Sequence, residues 1–206
     1  MAVENGNDEV RVWDPLIRIF HWTLVAGFTV AYLSGDELQG LHVWAGYLIT
    51  GLLAFRLIWG FVGSRHARFS DFFYSPNQVM TYVRSLFSGK PKRYLGHNPA
   101  GAMMVFLLLF SLTFTAGSGL MLDAGVGATP MVSAVEGFLP ARAWADDDDD
   151  DEREGKENEM LEEVHEFFAN LTLLLVCLHI AGVVVSSRLH GENLVRAMIT
   201  GRKPAE

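Results

Sequence analysis

Residues 161–187, LEEVHEFFANLTLLLVCLHIAGVVVSS, decide the fold class. From Phe167 to Ser187 the stretch carries no Asp, Glu, Lys or Arg. At about 1.5 Å of rise per residue it is long enough to cross the roughly 30 Å hydrocarbon core of a bilayer as a helix. Two histidines, His165 and His179, stand within this segment. An ionisable side chain in a lipid-embedded helix is costly, so each is a functional candidate before it is anything else.

Working outward, three more stretches have the same character: Pro15 to Ser34, Leu41 to Val62 and Pro99 to Leu122. Half of the whole chain is hydrophobic, and the charges lie mostly between these stretches, which excludes a water-soluble fold. Backbone groups in lipid must be satisfied inside the protein, and each stretch is far longer than a barrel strand. The expected fold class is therefore all-α, a four-helix transmembrane bundle forming a single membrane-embedded domain over residues 1–206. The first residues hold Glu4, Asp8 and Glu9 but no Lys or Arg before Arg11, unlike the basic start of a cleavable signal peptide. The first span is expected to be retained.

Orientation is read from the basic residues, which stay on the cytoplasmic side. Of the 16 Lys and Arg residues, Arg56 lies inside the second span and only Arg142, Arg153 and Lys156 fall between spans three and four. The others gather at the entry to span one, where Arg11 and Arg18 stand, between spans two and three, and at the end of the chain after span four. Both termini should thus face the cytoplasm. The turn at 35–40 and the loop at 123–160 then lie outside.

Asp14 before Pro15 and Asn98 before Pro99 place a capping side chain ahead of a proline suited to the first helical position. Ser75-Pro76 opens a segment with Val79, Tyr82, Val83, Leu86 and Phe87 at helical spacing, which predicts a short interfacial helix between spans two and three. The outer loop carries Asp146 to Asp151 followed by Glu152, Glu154, Glu157 and Glu159. Such a run repels itself, and 141–159 is expected to be disordered, with helical spacing resuming near Met160. It reads either as a solvated linker or as a negative patch that steers a basic partner.

Four histidines, His21, His42, His165 and His179, fall in or at the spans, and their heights pair them. His165 and His179 are about 21 Å apart along one helix and about 40° from the same side. His21 lies about 21 Å below the outer end of span one, level with His179. His42 begins span two and is level with His165. Two imidazoles facing each other from different helices can fill both axial positions of a haem iron, leaving no open site for oxygen. Gly46 and Gly182, near His42 and His179, leave room for a flat macrocycle, although glycine is also common in membrane helices. A zinc ion would gather its ligands around one point, whereas these histidines form two layers. The only cysteine, Cys177, allows neither an intrachain disulfide nor a Cys-x-x-Cys-His attachment, so any haem is non-covalently bound.

The segments Val12-Trp13-Asp14-Pro15, His21-Trp22, His42 with Gly46-Tyr47, Arg56-Leu57 with Trp59-Gly60, Gly96-His97-Asn98-Pro99, and Asn193-Leu194-Val195 with Met198-Ile199-Thr200-Gly201 resemble the bacterial cytochrome b561 and nickel-hydrogenase cytochrome b family. The resemblance runs from about Val12 to Lys203. It implies a four-helix bundle with two b haems, ligated by His21 and His179 on the inner side and by His42 and His165 on the outer. It also implies a link between membrane quinone and a partner such as a hydrogenase or a c-type cytochrome, while some relatives instead oxidise superoxide.

Weaker signals complete the reading. Arg18 and Arg56 are candidates to pair with haem propionates, or else snorkel to water at helix ends. His66, His97 and His190 are expected at the surface, one of them a candidate to assist quinone protonation. Trp13, Trp22, Trp44, Trp59 and Trp144 fit an interfacial belt. The leading expectation is transmembrane electron transfer, with superoxide:quinone oxidoreduction as a variant and a haem-free membrane anchor or metal-ion carrier as the competing class. Membrane lipid is an expected partner and nucleic acid is not.

Overall fold

The structure, a computed structural model, describes residues 9–35, 37–89, 91–125 and 150–205, the side chains of 150–157 excepted. Its helices are α1 (Pro15–Ser34), α2 (Gln39–Val62), α3 (Pro76–Phe87), α4 (Pro99–Asp123), α5 (Asp150–His190) and α6 (Leu194–Thr200). Strands β1 (Glu9–Arg11) and β2 (Arg202–Pro204) pair antiparallel, with Val10 opposite Lys203. The fold is all-α in its architecture, and α1, α2, α4 and residues 158–190 of α5 are each long and apolar enough to cross a membrane. Leu33, Trp44, Phe61 and Val62 are each at least 70% exposed. That many outward-facing large apolar side chains suit contact with lipid rather than water.

Local chemistry explains where the helices start. The Asp14 carboxylate accepts from the Ile17 amide at 2.9 Å, and Asn98 accepts from the Gly101 amide at 2.7 Å, each satisfying an orphan donor at a helix N-terminus. Asp14 also accepts from Trp59 Nε1 at 3.3 Å and from the Ser64 hydroxyl. Burial pushes its pKa up, but these hydrogen bonds outweigh burial and hold it below the usual carboxylate value. α3 begins with a capping box, in which Ser75 and Gln78 each serve the other's backbone amide. It buries Tyr82 and leaves Phe87 exposed.

Helix α5 starts about ten residues before the resumption of helical spacing expected near Met160. Glu, Lys and Arg between 152 and 159 are good helix formers even where no apolar face marks the pattern. Within the run 141–159 the structure describes helix from Asp150 onward, and 141–149 lie outside the described residues.

Contacts divide the chain into two compact units, residues 1–26, 52–109 and 173–206 in one, and 27–51 and 110–172 in the other. The first unit is cored by Val12, Trp13, Ile17, Phe20, Ala67 and Ala197. Its C-terminal segment is tied down by Glu192, which lies between Arg93 and Lys203, the latter at 3.5 Å. Burial lowers the Lys203 pKa, while the Glu192 charge acts to raise it. In the second unit, Phe168 stacks on Phe114 at 4.8 Å, and the Ser111 and Thr172 hydroxyls share a hydrogen bond of 2.7 Å between α4 and α5.

Two histidine pairs as the candidate functional site

In the first unit, His21 on α1 faces His179 on α5 with ring centroids 6.5 Å apart. Trp22 meets the His21 ring edge-on at 5.1 Å, and its indole donates to Met198 O at 3.4 Å. Arg18, one turn before Trp22, donates to Ile199 O, so α6 is fastened beside this part of α1. Among the described residues, the buried His21 Nδ1 has no hydrogen-bond partner. Beside His179, a Cβ added to Gly182 would meet nothing within 4 Å among the described residues.

In the second unit, His42 on α2 faces His165 on α5 with centroids 5.8 Å apart. His42 Nδ1 donates to Ala31 O at 2.8 Å, and His165 Nδ1 donates to Thr115 O at 2.9 Å. A carbonyl can only accept, so both rings carry their proton on Nδ1 and keep the Nε2 lone pair free for a metal. The space beside Gly46 is open, as it is beside Gly182.

The ring spacing tests whether these pairs suit axial ligation. Two imidazole nitrogens, each about 2.0 Å from a shared metal, set the ring centroids about 6 Å apart, close to both observed separations. Among the described residues no group of three or more His, Cys, Asp or Glu side chains could hold a metal ion. A pair of histidines therefore suits a metal that brings its other ligands with it, as a haem does.

Arg56 is 3% exposed, with its guanidinium over the Phe69 ring at 4.7 Å and Nη1 buried without a hydrogen-bond partner among the described residues. It does not snorkel to water, because the residues after α2 fold back and place Phe69 over it. Arg18 also keeps a buried Nε that has no hydrogen-bond partner among the described residues. Two guanidinium groups with spare donors suit carboxylates such as haem propionates.

Several expectations change. His97 is no surface residue: its ring packs against Trp13 at 4.7 Å and Phe72 at 4.4 Å. His66 is partly buried and bonded to Asp71 at 2.8 Å, and His190 Nδ1 donates to Ser186 O at 3.0 Å. Trp13 belongs to the buried core of the first unit rather than to an interfacial belt, whereas Trp44 is exposed. Trp144 lies outside the described residues. The sequence reading missed Thr115, Ser118 and Gly119, which surround the His165 ring. One signal for them was present: Ser111, Thr115 and Ser118 recur at helical spacing in an apolar span, and such hydroxyls must find partners.

Comparison with known proteins adds an independent line. A family model described as prokaryotic cytochrome b561 matches residues 12–201. The chain is similar to a probable Ni/Fe-hydrogenase B-type cytochrome subunit of Rhodobacter capsulatus, 23% identical over 94% of this chain and 81% of the relative. It is also similar to a protein of the same description from Rhizobium leguminosarum bv. viciae, 24% identical over 94% of this chain and 88% of the relative. A third of that description, from Azotobacter chroococcum mcd 1, is 26% identical over 66% of this chain and 71% of the relative. No solved structure matches the chain.

Proposed function

This chain belongs to the prokaryotic cytochrome b561 family, and from that premise we propose that it holds two haem b groups on the pairs His21 with His179 and His42 with His165. Family membership and the four apolar helices make it a multi-pass protein of the bacterial inner membrane that carries haem b and takes part in membrane electron transfer. The observation that carries the finer reading is the meeting of two histidine rings from different helices, twice, at 6.5 and 5.8 Å.

When bound, haem b supplies one-electron exchange at its iron. The protein's part is ligation, orientation and burial. His42 and His165 are held by carbonyl acceptors in the tautomer that ligates through Nε2. Two histidines at each site would hold the group and would keep oxygen and small substrates from its iron. Arg56 and Arg18 offer unpartnered donors to the propionates, and Gly46 and Gly182 leave open space beside the ligating histidines.

The electron partners are membrane quinone and a hydrogenase. The relatives named as hydrogenase cytochrome subunits support the second of these. Both termini face the cytoplasm, in keeping with the distribution of basic residues. A visible spectrum and haem assay of protein purified from membranes test the reading. Two b haems per chain are expected, and a colourless protein retaining zinc would contradict it.

A further inference from the structure

The two histidine pairs differ in what holds their rings, and the inference from that difference rests on the haem reading above. In the second unit His165 Nδ1 lies 2.9 Å from Thr115 O and 3.2 Å from Ser118 Oγ. The Ser118 hydroxyl is itself 2.8 Å from Phe114 O and 3.0 Å from Thr115 O, so its proton goes to a carbonyl and a lone pair is left for the imidazole. Ser118 is fully buried. Gly119 lets the ring in: a Cβ there would lie 3.0 Å from His165 Cε1 and 3.3 Å from Nδ1. Opposite, His42 is anchored through Ala31 O. In the first unit, by contrast, the buried Nδ1 of His21 has no hydrogen-bond partner among the described residues.

An acceptor on Nδ1–H draws the proton away from the ring and makes the other nitrogen a stronger donor to the metal. A stronger donor favours the oxidised iron over the reduced iron, which lowers the reduction potential. We propose that Ser118, together with the Thr115 carbonyl, is a positioning residue that acts through His165 and makes the haem on His42 and His165 the harder of the two to reduce. The sequence reading left the relative potentials open, and these contacts rank them. Neither Ser118 nor Thr115 touches a reacting atom. Each acts only through the ligand, so its effect should appear as a potential rather than as the loss of a haem.

Equilibrium redox titration of the visible spectrum of the full chain tests this. Wild type should titrate with two midpoints. Ser118→Ala should raise the lower midpoint, with about a threefold change in the oxidised-to-reduced ratio at fixed potential, or about 28 mV at 59 mV per tenfold for one electron. The higher midpoint should stay in place, and Ser118→Thr, which keeps the hydroxyl, should restore the lower one. In His21→Ala, which strips the first unit of a ligand, the surviving haem should titrate at the lower midpoint. Should Ser118→Ala move neither midpoint, or both equally, the proposal is wrong, and so it is if the haem surviving in His21→Ala has the higher midpoint. A chain without haem would instead overturn the functional reading on which the proposal rests.

Discussion

His97 sits between the rings of Trp13 and Phe72. Burial, and then the positive charges of Arg56, Lys203 and His66, push its pKa down to about 3, with Asp71 opposing. The folded chain therefore keeps this imidazole neutral, while the unfolded chain protonates it below about 6.5. The unfolded state binds the extra proton between those values, so the stability contributed by neutral His97 is full above about 6.5 and is lost as pH falls towards 3. Between pH 6.5 and 5 the loss should be about 2 kcal/mol. Thermal denaturation in detergent should show a smaller loss for His97→Phe, and an equal loss would place the effect elsewhere. Sequence reading put His97 at the surface because the two rings that bury it come from segments distant in the chain. Asp14, whose neighbours Pro15 and Ile17 are local, was read correctly as a cap.

The same division appears among the elements. The four spans were legible because length and hydrophobicity are properties of each segment alone. Helix α6 and the β1–β2 pairing were not, because a seven-residue helix and two three-residue strands have no periodicity to read. They depend on one tight turn. Asn193 caps α6, Gly201 ends it at φ +80°, and Gly201 O accepts from the amides of Val12 and Trp13 at 2.9 and 3.1 Å. A Cβ at Gly201 would lie 2.6 Å from Trp13 O, so Gly201→Ala meets both a steric clash and a backbone conformation that alanine resists. It should cost about 1–3 kcal/mol and lower the melting temperature of the purified protein. An unchanged melting temperature would mean that this turn does not hold the C-terminal segment.

At the scale of the whole molecule, the histidine pairs were legible because helical rise converts sequence separation into height whatever the side-chain packing. The acceptors around His165 were not, because they depend on how α4 is rotated against α5, and that rotation is set by packing such as Phe114 on Phe168 and by the Ser111–Thr172 bond. The same four spans contribute to both units, and each unit closes on one histidine pair. The central claim is that these are two separate sites, each made by one pair. Single replacements of His21 and of His165, assayed for haem per chain and by the reduced visible spectrum, test it most directly. Each variant should lose one haem and keep the other, and the remaining bands should differ between the two. Retention of both haems in either variant would contradict the pairing.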